Sequence, residues 1–234
     1  MVVIKKNYDF IEGEFILINK PLHWTSFQLV NKVRWLIKRK LQIKKIKVGH
    51  AGTLDPLASG LMVLCTGKKT KKIKLYQAQE KEYRATIKLG ATTPSYDGET
   101  AENHFSPTYH ITESMIKESL RSFLGDRLQK PPIFSALKVG GKKLYTSARS
   151  GKEVEIKSRI VNIKEIEIEK IEMPFISFRV LCSKGTYIRS LAYDVGRSLN
   201  SSAWLFKLQR TKIGNQNLKA SIDLIDFEEQ MKSG

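Results

Sequence analysis

Residues 82–89, with the sequence EYRATIKL, alternate strictly between polar and apolar side chains. A period of two predicts a β-strand that buries one face, and it places Tyr83 on the buried face. Isoleucines alternate with charged residues in a similar way over residues 161–171, and residues 175–182 have the composition of a further strand. Because strands with one solvated face are typical of antiparallel sheets, residues 161–182 predict an antiparallel pair.

Other segments have the spacing of helices. Thr25 and Gln28 have the spacing of a capping box, and the apolar residues that follow recur at intervals of three and four. A second helix is predicted between Thr112 and Gly125, and a third opens in CSKGTYIRSLAYDVGRSL. No linker rich in Ser, Gly or Pro divides the chain. We therefore expect a single domain over residues 1–234.

The chain carries a strong positive charge, with 41 lysines and arginines against 23 aspartates and glutamates and a formal net charge of +18. A polyanion is the expected partner, and nucleic acid gains most because each neutralised phosphate releases counterions. An anionic membrane is the competing polyanion. However, no run is long and apolar enough to span a bilayer, and the first residues lack the apolar core of a secretory signal. We expect a cytoplasmic protein that contacts no membrane.

Two basic clusters lie before and after residues 50–60, HAGTLDPLASG. A solvated helix face is the ordinary interpretation of such clusters, but solvated faces normally mix charges of both signs and the first cluster contains no acid. We expect both clusters to contact phosphates. They are Lys32, Arg34, Lys38, Arg39, Lys40, Lys44, Lys45 and Lys47, and then Lys68, Lys69, Lys71, Lys72 and Lys74.

Asp55 is the carboxylate with the most distinctive surroundings, because Pro56 and an apolar run follow it directly. Arg189 lies in the first turn of the last predicted helix, where the helix dipole disfavours a cation, and it adjoins the buried stripe. A guanidinium beside Asp55 would keep this acid ionised. With Tyr83 and the basic clusters, these residues indicate chemistry on a flipped nucleobase. Each also has a structural interpretation: a turn for Asp55, an ion pair for Arg189, core packing for Tyr83 and a buried histidine for His50.

Other chemistries agree less well with the sequence. Cys65 and Cys182 are far apart and have no Cys or His at ligand spacing, so we expect buried thiols and no metal site. Residues 65–70, CTGKKT, resemble the end of a phosphate-binding loop, but the earlier glycine of that loop would fall at Met62. A glycosidase of the usual kind needs two carboxylates, and only Asp55 is distinctively placed.

Five segments, in order along the chain, resemble the motifs of the TruB family of tRNA pseudouridine synthases. GHAGTLDPLASGLMVLCTGKKTK is similar to the catalytic motif of that family. The other four are LINKPLHWTSFQLVNKVR, KEYRATIKLGATTPSYDGE, PPIFSALKVGGKKLYTSARSG and CSKGTYIRSLAYDVG, which resemble the N-terminal motif, the tyrosine strand, the middle loop and the arginine motif.

The resemblance implies conversion of the T-loop uridine at tRNA position 55 into pseudouridine, without a cofactor. Asp55 would be the catalytic aspartate, which attacks either the base or the sugar. Tyr83 would stack on the target base, and Arg189 would pair with the aspartate. The remaining implied contacts to the substrate are His50, which would help to hold the opened T loop, then Lys20 and Leu208 in the pocket, and Gly52, Thr53 and Leu54 beside the aspartate.

The resemblance also implies the fold, which is an α/β domain of the α+β type. Its central sheet would be mixed and largely antiparallel, flanked by helices, with an RNA-binding insertion. Many bacterial members continue into a C-terminal PUA domain, but few residues follow Arg189 and we expect no PUA domain here. We expect a monomer that binds the T arm of tRNA. Two alternatives stay open at this point: a protein that remodels tRNA without chemistry, and a synthase that acts on another RNA.

Overall fold

The computed structural model describes residues 8–135, 138–139, 142–143 and 156–232. The chain divides into two compact units, of which the first takes Met1–Tyr83 with Leu208–Gly234 and the second takes Arg84–Lys207. The chain passes between the units within two strands, at residues 83–84 and 207–208. A single domain over residues 1–234 stays a prediction.

The described residues form both helices and strands, as expected of an α+β protein. The helices are α1 (Ser26–Leu41), α2 (Ile73–Ala78), α3 (Glu113–Ser122), α4 (Ile188–Ser198) and α5 (Leu224–Lys232), with 3-10 helices at Gly67–Lys72 and Leu218–Ala220. The strands are β1 (Phe15–Lys20), β2 (Val48–His50), β3 (Ala58–Thr66), β4 (Lys81–Leu89), β5 (Gly125–Gln129), β6 (Lys138–Val139), β7 (Lys142–Lys143), β8 (Arg159–Glu172), β9 (Phe175–Cys182), β10 (Ala203–Ile213), β11 (Gln216–Asn217) and β12 (Ile222–Asp223).

In the first unit, the strands follow the order β12, β1, β3, β10 and β4, with β2 paired to β3 and β11 to β10. The central strand β3 is antiparallel to β1 and β2 and parallel to β10. All but one of its nine residues are buried, which explains its nearly continuous apolar sequence. The loop between β2 and β3 carries Asp55, so the core of this unit supports the loop directly.

In the second unit, the order is β10, β4, β9, β8 and β5. β8 is antiparallel to both β5 and β9. The predicted antiparallel pair over residues 161–182 is thus confirmed, as is the mixed and largely antiparallel sheet. β6 and β7 form a separate antiparallel ladder. The RNA-binding insertion predicted in the middle loop lies largely outside the described residues.

Local sequence rules account for the ends of the helices. Thr25 caps α1 with the complete capping box, in which its side chain accepts from the amide of Gln28 and the Gln28 side chain accepts from the amide of Thr25. Thr112 caps α3 through the amide of Met115. These two predicted caps are confirmed.

The burial of Tyr83 and of both cysteines follows the predictions, whereas the burial of Glu82 does not. Tyr83 faces inward as predicted, and both cysteines are buried. Glu82, however, was expected on the solvated face of β4 and is only 7% exposed. Its carboxylate accepts hydrogen bonds from Thr211 Oγ1 and Lys212 Nζ of β10, at 2.7 and 2.9 Å, and these partners offset the cost of burial. Within the described residues, no helix combines the length and apolar character that crossing a membrane requires.

Candidate active site

Asp55 lies in the loop between β2 and β3 and is half-buried. Its own carbonyl accepts the amide of Ala58 at 3.1 Å, which turns the chain into β3. The next carbonyl, that of Pro56, accepts the amide of His23 at 2.8 Å. The aspartate therefore stands in a turn that is tied to a second segment of the chain.

The residue before Asp55 is fixed by the first turn of α1. Ser26 Oγ accepts the amide of Leu54 at 2.8 Å and donates to the carbonyl of Leu54 at 2.9 Å. Both residues are buried, so water does not compete for these bonds. The predicted helix and the predicted catalytic loop meet through this serine.

Arg210, in β10, binds the backbone of the same loop and is only 1% exposed. Its guanidinium donates to the carbonyls of Gly52 at 3.1 Å, Thr53 at 3.3 Å and Leu61 at 2.8 Å. The first two precede Asp55 and the third follows it in β3. The sequence predictions did not include Arg210.

Lys20, at the end of β1, is a second cation in this unit and is fully buried. Its ammonium donates to the carbonyls of Pro21 at 2.9 Å and Trp24 at 2.6 Å. Burial lowers the pKa of Lys20 to about 8, the charge of Asp55 raises it, and the charge of Arg210 lowers it. Lys20 is therefore close enough to Asp55 for their charges to interact.

His50 ends β2 and accepts the amide of Gly52 through Nδ1, at 3.3 Å. Burial lowers the pKa of His50 below the ordinary value of 6.5, the hydrogen bond with the Gly52 backbone raises it, and the positive charge of Arg210 lowers it. The net shift favours the neutral imidazole. A neutral ring with Nδ1 already occupied leaves Nε2 as a donor for a ligand.

Leu208 completes the predicted residues of the first unit. It is half-buried and lies opposite Ala58 in the parallel register of β10 and β3. Ala58 follows Asp55 by three residues. Tyr83 is 9% exposed in β4. The first unit thus contains every predicted site residue except Arg189.

Arg189 lies in the second unit, in the first turn of α4, and is 4% exposed. Its Nη1 donates to the carbonyls of Ser95 at 3.1 Å and Phe134 at 2.9 Å, and its Nε lies 3.6 Å from Oδ2 of Asp97. Asp97 is 5% exposed. Arg189 is buried as predicted, while its pairing with Asp55 stays a prediction.

Hydrogen bonds to the backbone carbonyl of Asp97 stabilise the turn that carries this residue. Thr93 Oγ1 and Ser95 Oγ donate to the carbonyl of Asp97, at 2.6 and 3.1 Å. Tyr96, between Ser95 and Asp97, has a φ of 61°, which is unusual for a bulky residue. Its ring stacks on Tyr193 at 4.3 Å between centroids, and Tyr193 lies one helical turn beyond Arg189 in α4. This stack braces the turn against the helix that carries the arginine.

The two predicted basic clusters meet at a groove of the first unit, with a volume of about 480 Å³. Lys45 and Lys47 come from the first cluster, and Lys68 and Lys71 come from the second. Lys68 also pairs with Glu12 at 2.7 Å. Four lysines line one concave surface, and the positive charge of Lys45, Lys47 and Lys71, added to that of the paired Lys68, favours a phosphate-bearing ligand. In the parts of the chain that the structure describes, no group of three or more His, Cys, Asp or Glu residues could hold a metal ion.

Comparison with known proteins agrees with the resemblance of the motifs. Residues 38–188 match the family model described as TruB family pseudouridylate synthase (N terminal domain), which covers well over half of the chain. The chain belongs to the TruB family.

TruB relatives extend the match to nearly the whole chain. A protein from Flavobacterium johnsoniae named tRNA pseudouridine synthase B is 55% identical over 225 residues, which are 96% of this chain and 98% of the relative. A protein of the same name from Parabacteroides distasonis is 54% identical over 95% of this chain and 96% of its own.

Solved structures with the TruB-like fold are more distant. A chain in the crystal structure of a Cbf5-Nop10-Gar1 complex has a TM-score of 0.67 and 28% identity, over 92% of this chain and 53% of that one. A chain in the structure of an H/ACA RNP bound to a substrate RNA containing 2'-deoxyuridine has a TM-score of 0.64 and 26% identity, over 92% and 52%. This chain spans about half the length of those two. The fold assigned from the sequence is confirmed.

Two buried charged residues of the candidate site, Arg210 and Asp97, were not predicted from the sequence. Arg210 stands in KLQRTK, where it looks like one more basic residue of a basic protein, although its spacing of two from Leu208 indicated that the two residues share a strand face. Asp97 stands in PSYDGE, which has the composition of an ordinary turn.

Proposed function

We propose that this chain is a tRNA pseudouridine synthase that converts the T-loop uridine at tRNA position 55 into pseudouridine. The observation that carries the proposal is the identity of more than half of the residues, over nearly the whole chain, with proteins named tRNA pseudouridine synthase B. The enzyme is an isomerase, it acts in the cytoplasm as a monomer, and its partner is the T arm of tRNA.

The reaction conserves the elemental composition of the nucleotide, although the hydrogen at C5 is exchanged for a proton at N1. The N1–C1′ bond breaks, the detached uracil turns, and a C5–C1′ bond forms; C5 then loses its proton and N1 gains one. No oxidant, phosphate donor or external energy is consumed, so no cofactor is proposed. The enzyme needs a group that supports the sugar or the base while the two are separated, and a pocket that retains the base.

Asp55 supplies that group, as a nucleophile toward the base or the sugar or as a stabiliser of developing positive charge. Support comes from its place in a half-buried loop, held by Ser26 and Arg210 and close to the charge of Lys20. A fixed carboxylate needs little reorganisation when charge develops in the transition state. Arg189 pairs with Asp55 and orients it toward the substrate.

The other predicted residues hold the substrate around this carboxylate. Tyr83 stacks on the flipped uracil, and Leu208 and Lys20 form the wall and floor of the pocket. His50 donates from Nε2 to the opened T loop, since its Nδ1 already accepts the amide of Gly52. Gly52, Thr53 and Leu54 line the approach to the base. The lysine groove at Lys45, Lys47, Lys68 and Lys71 contacts RNA phosphates.

Incubation of unmodified tRNA transcripts with the protein, followed by mapping of pseudouridine, tests the proposal. We expect one pseudouridine, at position 55, and none in a matched transcript with cytidine at that position. Modification only at other sites would assign the enzyme to a different RNA. Tight tRNA binding without any pseudouridine would identify an RNA-binding protein without catalytic activity.

A further inference from the structure

We propose that Arg210 is a positioning residue for the catalytic loop, which it holds from both sides of Asp55. This inference rests on the proposed function, because it assigns Arg210 a part in turnover. Two of its hydrogen bonds reach the carbonyls of Gly52 and Thr53, and the third reaches the carbonyl of Leu61. Arg210 therefore fixes the position of Gly52 and Thr53, which precede Asp55, relative to β3, which follows it.

The burial of the Arg210 charge costs desolvation free energy, which suggests that the charge has a function. Its side chain is 1% exposed, and guanidinium stays ionised at every pH that a protein tolerates. Within the described part of the chain, its hydrogen bonds go to neutral carbonyls and not to a carboxylate. An apolar side chain would fill this place in β10 without the cost of burying a charge.

A second buried cation lies in the same row of the sheet. Lys20 in β1 and Arg210 in β10 are both aligned with Gly60 in the strand between them, β3. The charge of Arg210 acts on Lys20, and so does the charge of Asp55. Two buried cations are thus adjacent in the sheet, and one of them interacts with the charge of Asp55.

Gly60 allows the close approach that this arrangement requires. Its φ is 108°, and a Cβ at this position would lie 2.3 Å from the carbonyl oxygen of Arg210 and 2.8 Å from its amide nitrogen. A side chain at residue 60 would therefore push β10 away from β3. The guanidinium of Arg210 would then lose its hydrogen bonds to the carbonyls of Gly52, Thr53 and Leu61.

The three hydrogen bonds of Arg210 serve to hold the Asp55 carboxylate in a fixed position relative to the substrate. Arginine presents several donors in a rigid plane, so it fixes the relative positions of the groups that it binds, whereas lysine is a single flexible donor. A displacement of a reacting group by about 1 Å can reduce turnover by about 100-fold. Substrate affinity depends on many other contacts. We therefore expect loss of the three hydrogen bonds to lower kcat and to leave KM unchanged.

Three variants of Arg210 and its neighbour test this role: Arg210→Gln, Arg210→Lys and Gly60→Ala. At saturating tRNA we expect Arg210→Gln to lower kcat by about 100-fold and Arg210→Lys by about tenfold, with tRNA affinity within about threefold of wild type. Gly60→Ala keeps the charge and should also lower kcat. Arg179→Gln is the control, since Arg179 pairs with Glu165 and Glu167 in the second unit. It should retain wild-type turnover.

The titration of His50, followed by NMR in the free protein, gives a readout that does not depend on activity. Because the charge of Arg210 lowers the pKa of His50, this pKa should rise in Arg210→Gln and stay close to wild type in Arg210→Lys. If Arg210→Gln fails to fold, Arg210→Lys carries the test alone. A folded Arg210→Lys with wild-type kcat, or with a loss in affinity and none in kcat, would overturn the inference. Absence of pseudouridine with the wild-type protein would instead refute the proposed function.

Discussion

Arg189 and Asp97 are both almost completely buried in the second unit, with 3.6 Å between Nε of the arginine and Oδ2 of the aspartate. The same guanidinium donates to the carbonyls of Ser95 and Phe134. Asp97 therefore belongs to the set of contacts that orients Arg189.

Asp97→Ala is expected to destabilise the protein and to slow turnover. Removal of one partner weakens the compensation of a buried charge, and the cost for such a pair reaches about 3–5 kcal/mol. Chemical unfolding measures this loss, and single-turnover assays measure the rate of pseudouridine formation. Glu172→Ala is the matched control because it breaks an exposed pair with Lys170, and it should change the free energy of unfolding by less than about 1 kcal/mol. Equal effects of the two variants would contradict this role for Asp97.

The Tyr96–Tyr193 stack should affect turnover through the turn that carries Asp97. We expect Tyr193→Ala to lower the free energy of unfolding by about 1–3 kcal/mol and to reduce kcat by severalfold, because the turn loses its support on α4. Tyr193→Phe keeps the stacked ring and loses only the hydrogen bond of its hydroxyl to Tyr96, so it should retain most of the wild-type turnover. Phe206→Ala removes a comparable ring contact, with Phe175, and should leave kcat unchanged. A loss of kcat in Phe206→Ala as large as that in Tyr193→Ala would show that the stack has no specific role.

The lysine groove should contribute to the salt dependence of tRNA binding. Each phosphate contact contributes about 0.7–0.9 to the slope of log affinity against log salt. The combined change of Lys45, Lys47 and Lys71 to Gln should therefore reduce that slope by about 2, as measured by filter binding at several salt concentrations. The control changes Lys117, Lys170 and Lys232, which pair with glutamates, and removes the same charge. If both triple variants reduce the slope equally, only net charge matters.

Lys20 should make the stability of the protein depend on pH in the alkaline range. Its pKa is about 8 in the folded protein against 10.5 ordinarily, so the unfolded chain binds more protons between these values. Stability must then rise with pH in this window. The difference in unfolding free energy between wild type and Lys20→Met should grow by up to about 3 kcal/mol from pH 7 to pH 10.5. A difference that stays constant across this range would show that Lys20 is not perturbed.

Short-range patterns in the sequence predicted much of the fold. The alternation in residues 82–89 and 161–171 and the caps at Thr25 and Thr112 each depend on neighbours within a few residues, and each appears in the structure. The arrangement of the strands in the sheet could not be derived in this way. The row of Lys20, Gly60 and Arg210 joins residues that are 40 and 150 positions apart, and no local period reveals such a register.

The candidate site was predictable to the extent that its residues break local rules. Asp55 is a carboxylate before an apolar strand, and Arg189 is a cation in the first turn of a helix, so both could be identified. Arg210 and Asp97 obey the rules of their surroundings, as a basic residue among basic residues and an acid in a turn. Their importance comes from burial and from partners that only the three-dimensional structure supplies.

The role of Asp55 is tested most directly by release of tritium from tRNA labelled at C5 of uridine, because pseudouridine formation must expel that hydrogen. The comparison is between wild type and Asp55→Asn, a nearly isosteric change that removes the charge. Both proteins should bind tRNA with similar affinity. We expect wild type to release the label and Asp55→Asn to release it at least about 10³-fold more slowly. Release by Asp55→Asn at the wild-type rate would contradict the assignment of Asp55 as the catalytic carboxylate.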